Sequence, residues 1–198
     1  MNNKLGITSV EELAEVEERL GKLRARELFD SGRLATIPVG TADSLTEIHR
    51  VLFGDVYDFA GKFRTVNIYK GELRFAPVEG LENAVKFAAI MPQDTFDEII
   101  EKFIQMNIAH PFREGNGRAM RLWLDVIIAA KLEMLVDWSA VDKKTYQLVM
   151  ERCVTDGAAV ADLIRSALTK KVGRSMFLRA IDGSFALEGY TKYRAELL

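Results

Sequence analysis

"HPFREGNGRAMR", residues 110–121, decides how this chain is read. It holds one of only two histidines, set directly before a proline, ahead of two glycines and two arginines three residues apart. Proline pushes the residue before it out of the right-handed helical region, so a helix is expected to end at His110. Gly115 and Gly117 admit backbone conformations, or close approaches, that a Cβ would block. Asn116 between them tolerates the left-handed region better than most residues. A second helix is expected from near Gly117, with Leu122, Trp123, Val126, Ile127 and Ala130 at core spacing. The segment is therefore helix, six-residue loop, helix.

The charges in that segment call for an anion. Successive amides at a helix N-terminus make a concave anion-binding surface. Arg118 and Arg121 share one face of the new helix, close to its positive end. A cation there is disfavoured by roughly 0.3–1 kcal/mol at exposed sites, so a polyphosphate would suit both the amides and the two guanidinium forks. Glu114, just before the glycines, is a hard oxygen ligand suited to Mg²⁺. His110 is placed as the base for a hydroxyl nucleophile. Any one of these features alone fits a glycine-rich helix connection with a core histidine and solvated arginines; the whole set within twelve residues does not. No Gly-Lys-Ser/Thr follows, so this is not a Walker loop, nor does it follow a strand as a Rossmann turn does.

Working outward, most of the chain reads as helix. Val10 to Phe29 carries Leu13, Val16, Leu20 and Leu23 at helical spacing, with Ser9 as N-cap and Glu12 at the capping-box position. A second helix is expected over Ser44 to Asp58, and others over Leu81 to Ile90, Thr95 to Ala109, Lys143 to Cys153 and Ala158 to Leu168. Between Gly61 and Pro77 the apolar residues Phe63, Val66, Ile68, Leu73 and Phe75 partly alternate around Lys70-Gly71, which predicts one short β-hairpin. After Gly173 a less regular tail is expected, with a turn at Asp182-Gly183 and a final helix from Ser184. His49, beside Ile48 and Val51, reads as a structural histidine, and Trp123 and Trp138 as core. The fold class is all-α: a helical bundle with one hairpin ahead of the helix-loop-helix.

Composition sets the outer limits. With 198 residues, 48% of them hydrophobic, one compact domain with a sizeable core is expected. A net charge of −2 without blocks of like charge argues against general nucleic-acid or membrane-surface binding. The apolar run at 126–130 is too short to cross a bilayer, and no signal peptide is expected. The lone Cys153 suits a reducing compartment, so a cytoplasmic location is expected.

The twelve residues resemble the signature of Fic-domain proteins, His-x-Phe-x-Asp/Glu-Gly-Asn-Gly-Arg-x-x-Arg, at every fixed position. "IHRVLFGDVYDFAGKFRTVNI" (48–68) is similar to the family's segment leading into its flap hairpin, and the likeness spans about residues 44–170. It implies a single Fic domain over 1–198, with a flap at about 63–77, and a protein adenylyltransferase moving AMP from ATP to a Ser, Thr or Tyr hydroxyl. Carried over, His110 deprotonates the target hydroxyl, and Glu114 holds Mg²⁺ between the α- and β-phosphates. Gly115, Asn116 and Gly117 cradle phosphates, while Arg118 meets the β-phosphate and Arg121 the γ-phosphate. Ile68, Gly71, Asn107 and Tyr146 are expected about the nucleotide. Cys153 stands where many relatives have Asn, which leaves the nucleotide preference open. The flap is expected to dock a target segment by main-chain pairing.

"SFALEG" (184–189) is similar to the family's inhibitory pattern, Ser/Thr-x-x-x-Glu-Gly/Asn. Alone it resembles an ordinary helix N-terminus, but Glu188 stands four residues after Ser184 where a capping box wants three. The likeness implies a compact, Neisseria-type subclass with a C-terminal inhibitory helix at about 184–195. Ser184, Glu188 and Gly189 would form its brake, with Glu188 paired to Arg121 in the γ-phosphate site. Tyr190 and Tyr193 would then be candidates for self-modification. The resemblance further suggests a homo-oligomer and, by analogy, bacterial type II topoisomerase subunits as targets. Alternatives on the same loop are another phosphoryl or nucleotidyl transfer, removal of AMP, or a nucleotide-binding regulator without turnover.

Overall fold

In this computed structural model the described residues are 2–70 and 73–198, excluding the side chains of Lys70 and Leu73. Eight helices follow one another: α1 (Val10–Asp30), α2 (Ala42–Phe53), α3 (Leu81–Ile90), α4 (Phe96–Ala109), α5 (Asn116–Leu132), α6 (Lys143–Glu151), α7 (Gly157–Ser166) and α8 (Arg174–Ala186). Among the described residues, four two-residue strands make two small antiparallel sheets: β1 (Tyr69–Lys70) with β2 (Leu73–Arg74), and β3 (Leu135–Val136) with β4 (Leu168–Thr169). No described helix is long and apolar enough to cross a membrane.

α5 is the axle of the fold. It packs against α2, α4 and α8, and its residues from Arg118 to Ile128 are all buried. A helix buried all round needs its polar groups answered from neighbouring elements. Trp123 donates its indole N–H to Thr41 O and Ser44 Oγ of the α2 start, and Trp138 donates to Asp125 Oδ2 on α5. Ser9 caps α1 as expected, its Oγ accepting from Glu12 N, and at the start of α4 Thr95 with Glu98 forms a full capping box.

Three expectations change. α2 stops at Phe53, five residues before Asp58; Gly54 caps it, and the amides of Val56 and Tyr57 both turn back to Phe53 O. This swings Tyr57 into the core, 3% exposed. The second sheet was not foreseen, because two-residue strands so far apart in the chain show no alternation. The third change concerns the tail. Asp182-Gly183 is no turn, and no helix begins at Ser184; both lie in the last turns of α8. Gly183 is required for close packing, since a Cβ there would stand 2.2 Å from Ser139 N. Ser184 and Glu188 therefore sit at the end of a helix and just past it, not at a helix start.

Candidate active site

The α4–α5 junction is held by its own residues. His110 closes α4 in the left-handed conformation (φ 48°, ψ 63°), and Gly115 (φ 76°) caps α5. Asn116 is buried and fastens the loop to itself: Phe112 N donates to its Oδ1 at 2.8 Å, and its Nδ2 donates to Phe112 O at 2.7 Å. Its side chain is thus committed to the loop, so a ligand would meet its main chain. Phe112 is fully buried and stacks on the His49 ring at 3.7 Å. Gly61 N–H donates to His49 Nδ1, which leaves Nε2–H to donate to Glu114 O at 2.8 Å. Burial pushes the His49 pKa down to about 4, so the ring stays neutral in this tautomer. His49 is structural, and what it supports is the loop.

Arg64 joins that loop to the hairpin. Its Nε donates to His110 O (2.9 Å), its Nη2 to Ala109 O and Ala76 O, and its Nη1 to Val66 O (2.9 Å). The last turn of α4 has no basic residue of its own, and the Arg64 cation answers its orphan carbonyls. Phe75, on the second leg of the hairpin, stacks on the His110 ring at 3.7 Å. A cavity of about 510 Å³ opens beside these groups. Ile68, Asn107, His110, Glu114 to Gly117, Arg121, Tyr146, Glu188 and Tyr190 all reach its wall. Gly71 lies outside the described residues. Cys153 is buried beneath the wall, taking a hydrogen bond from Asn107 Nδ2 at 3.4 Å, and burial raises its thiol pKa.

The two arginines have different surroundings. Arg121 donates from Nε to Ser184 Oγ (2.8 Å) and from Nη2 to Ser184 O (2.8 Å) and Glu188 Oε1 (2.6 Å). Its Nη1 reaches Tyr146 OH at 3.3 Å. Arg118 is absent from the cavity wall: Glu188 Oε2 stands 2.7 Å from its Nε, and the Tyr190 ring covers it with 4.5 Å to the centroid. Gly117 makes room for this, since a Cβ there would lie 2.4 Å from Glu188 Oε1. Burial works against the charge of Arg118, but the Glu188 and Glu17 carboxylates outweigh it and hold its pKa above the ordinary value. The anion that the two arginines call for is thus supplied by the protein's own tail. Gly189 (φ 102°) turns the chain after Glu188, and Tyr193 lies away from the cavity with its amide on Glu18.

Glu114 is the one carboxylate at the loop suited to a metal. Its side chain is half-exposed; Oε1 accepts from Gly115 N (2.9 Å) and lies 3.3 Å from Arg118 Nη2. Among the described residues no cluster of three or more His, Cys, Asp or Glu could cage an ion. A single hard carboxylate beside an anion cavity fits Mg²⁺, which takes one or two carboxylates and fills its sphere with phosphates and water.

Sequence reasoning missed three groups that hold this site. Arg64 and Phe75 sit in the flap stretch, where partial alternation marks strands but not which side chains reach the loop. Glu17 of α1, 2% exposed, meets Arg118 Nη1 and accepts from the hydroxyls of Tyr57 and Tyr190. The one available hint was a cation at a buried helix start, which needs more than one carboxylate around it.

Residues 40–128 match the Fic/DOC family. The protein adenylyltransferase VbhT of Bartonella schoenbuchensis is 30% identical over 190 residues, covering 86% of this chain and 37% of its own. The probable protein adenylyltransferase y4lH of Sinorhizobium fredii is 30% identical over 139 residues, covering 64% of this chain and 69% of its own. The chain thus spans little more than a third of the first of these relatives. In fold it is similar to the N-terminal Fic domain of a VirB-translocated Bep effector from Bartonella quintana, solved with bound ADP. There the TM-score is 0.72 at 22% identity, over 85% of this chain and 90% of that one.

Proposed function

The chain belongs to the Fic/DOC family, and from that premise we propose that it is a protein adenylyltransferase restrained by its own tail. The observation that carries this reading is the wall of one cavity, where His110 and Glu114 flank the amides of Gly115 to Gly117, with Arg121 behind them. His110 accepts the proton of a target Ser, Thr or Tyr hydroxyl, whose oxygen then forms the new bond to the α-phosphorus of ATP. The bond from that phosphorus to the bridging oxygen breaks, and pyrophosphate leaves. Glu114 would hold Mg²⁺, which supplies charge neutralisation on the phosphates. Arg118 and Arg121 would hold the β- and γ-phosphates, and Ile68, Asn107 and Tyr146 would surround the nucleotide.

With Glu188 on both arginines, a γ-phosphate finds its partners taken, and ATP cannot lie with its α-phosphate in line. The target would lie along the flap, paired to strand β1. Bacterial type II topoisomerase subunits are the first candidates by analogy with the family, alongside a cytoplasmic location and self-association of the chain. Tyr190 is a candidate for self-modification once the tail lifts, because its hydroxyl is turned inward onto Glu17 (2.9 Å) while the tail is down. Tyr193 is a second. Added AMP on the tail after incubation with Mg-ATP, found by mass spectrometry, is the expected outcome.

The test uses the Glu188→Gly and His110→Ala/Glu188→Gly chains with ATP labelled at the α- or γ-phosphate in bacterial lysate. Glu188→Gly should label a protein from α-labelled ATP, and the double variant should not. Label arriving only from the γ-position would make the enzyme a kinase and overturn the reading.

A further inference from the structure

Arg118 meets a different carboxylate at each of its three nitrogens. Glu188 takes Nε at 2.7 Å, Glu114 Oε1 lies 3.3 Å from Nη2, and Glu17 holds Nη1. Glu188 and Glu114 thereby share one edge of the guanidinium, the Nε–Nη2 edge, and Glu17 has the opposite side. A guanidinium grips phosphate through two parallel N–H groups along one edge. The edge now given to Glu188 and Glu114 is thus the one that a phosphate at the cavity would need.

Glu17 differs from Glu188 in what fixes it. It belongs to α1, not to the tail, and the Tyr57 hydroxyl donates to its second oxygen. Glu17, Tyr57 and the Arg118 side chain are all within 3% of full burial. If the tail lifts, Glu17 loses the Tyr190 hydroxyl but keeps Tyr57 and Arg118. We propose that Glu17 is a positioning residue: it anchors Nη1 so that Arg118 presents its Nε–Nη2 edge to the β-phosphate once Glu188 and Tyr190 withdraw. This rests on the adenylyltransferase reading above. A second brake would act differently, because a carboxylate competing with phosphate would have to be released, whereas Glu17 is on the side that a phosphate leaves alone.

The experiment compares Glu188→Gly with Glu17→Gln/Glu188→Gly by calorimetry, using ADP and AMP as probes, and by AMP-transfer kinetics. ADP should bind about tenfold more weakly without the Glu17 charge, the scale of one charge-assisted hydrogen bond. AMP, which has no β-phosphate, should bind as before, and KM for ATP should rise with little change in kcat. Equal loss of ADP and AMP binding would mark a merely structural role and overturn the proposal, as would unchanged or tighter ADP binding. If Glu17→Gln does not fold, Tyr57→Phe in the Glu188→Gly background gives the same test: ADP binding must weaken several-fold relative to AMP, and an unchanged ratio refutes the inference. Should Glu188→Gly itself transfer no AMP, the adenylyltransferase reading fails, while the ADP-to-AMP ratio still decides the role of Glu17.

Discussion

The catalytic loop and the tail that covers it are built on opposite plans. The main fastenings of the loop use groups that a nucleotide would not need: the Asn116 amide to the Phe112 main chain, His49 to Glu114 O, Arg64 to His110 O. The fastenings of the tail at the site are the reverse. Ser184 and Glu188 hold Arg121, Glu188 and Tyr190 cover Arg118, and both arginines are candidates for phosphate. A loop fixed by spare groups stays formed whether or not ligand is bound. A tail fixed by the ligand's own partners can be exchanged for the ligand. Departure of Glu188 leaves Arg118 with Glu17 but takes from the buried Arg121 the carboxylate it is paired with; an uncompensated buried charge costs about 3–5 kcal/mol, so the exchange needs an anion to arrive as Glu188 departs.

The contrast can be broken at the loop first. His49 is held neutral in the folded chain with its pKa lowered to about 4 against 6.5 when unfolded. Between those values the unfolded chain binds more protons, so stability is full above about pH 6.5 and falls on acidification toward 4, by up to about 3 kcal/mol. Urea unfolding across that range should show this slope, and His49→Gln should flatten it. Next in size, Asn116→Ala removes both bonds that close the loop. In a Glu188→Gly background it should lower kcat/KM about 100-fold with α5 intact by circular dichroism, since misplacing the reacting groups by an ångström costs on that order. A loss under threefold would mean that the loop is not held by Asn116.

Much of this was legible beforehand, and what escaped did so for physical reasons. Proline and a capping serine act on the backbone within a few residues, so the start of α1 and the break at His110 could be read directly. The arginine pair announced a missing anion because charge at a helix start has a local sign. Glu17 could not be found this way: it sits in "EVEERL", a run that reads as a solvated helix face, and only the packing of α1 and the tail against α5 buries it. Gly183 was misread because a glycine needed for contact with Ser139 looks, in sequence, the same as one needed for a turn. The pairing of β3 with β4 is non-local and only two residues long on each side, too short for a period to appear.

The remaining tests sharpen the tail side and are smaller. Ser184→Ala removes one of the two hydrogen bonds that Arg121 donates to Ser184, and should raise AMP transfer about five- to tenfold while Glu188 stays in place. Tyr190→Phe keeps the ring over Arg118 and deletes only the bond to Glu17, so a two- to threefold rise is expected, on the order of the lower limit for one hydrogen bond. Both should be read as initial rates of AMP incorporation, and a fall in either would place these residues in catalysis instead.

The central claim is that Glu188 and the phosphates of ATP compete for Arg121 and Arg118. It is tested most directly by the initial rate of AMP transfer from α-labelled ATP by Glu188→Gly against the unaltered chain, at equal protein and Mg-ATP well below saturation. A rate at least about tenfold higher for Glu188→Gly, equivalent to losing a restraint of about 1.4 kcal/mol, is the predicted result. Equal rates would contradict it and leave the Glu188 contacts a feature of packing alone.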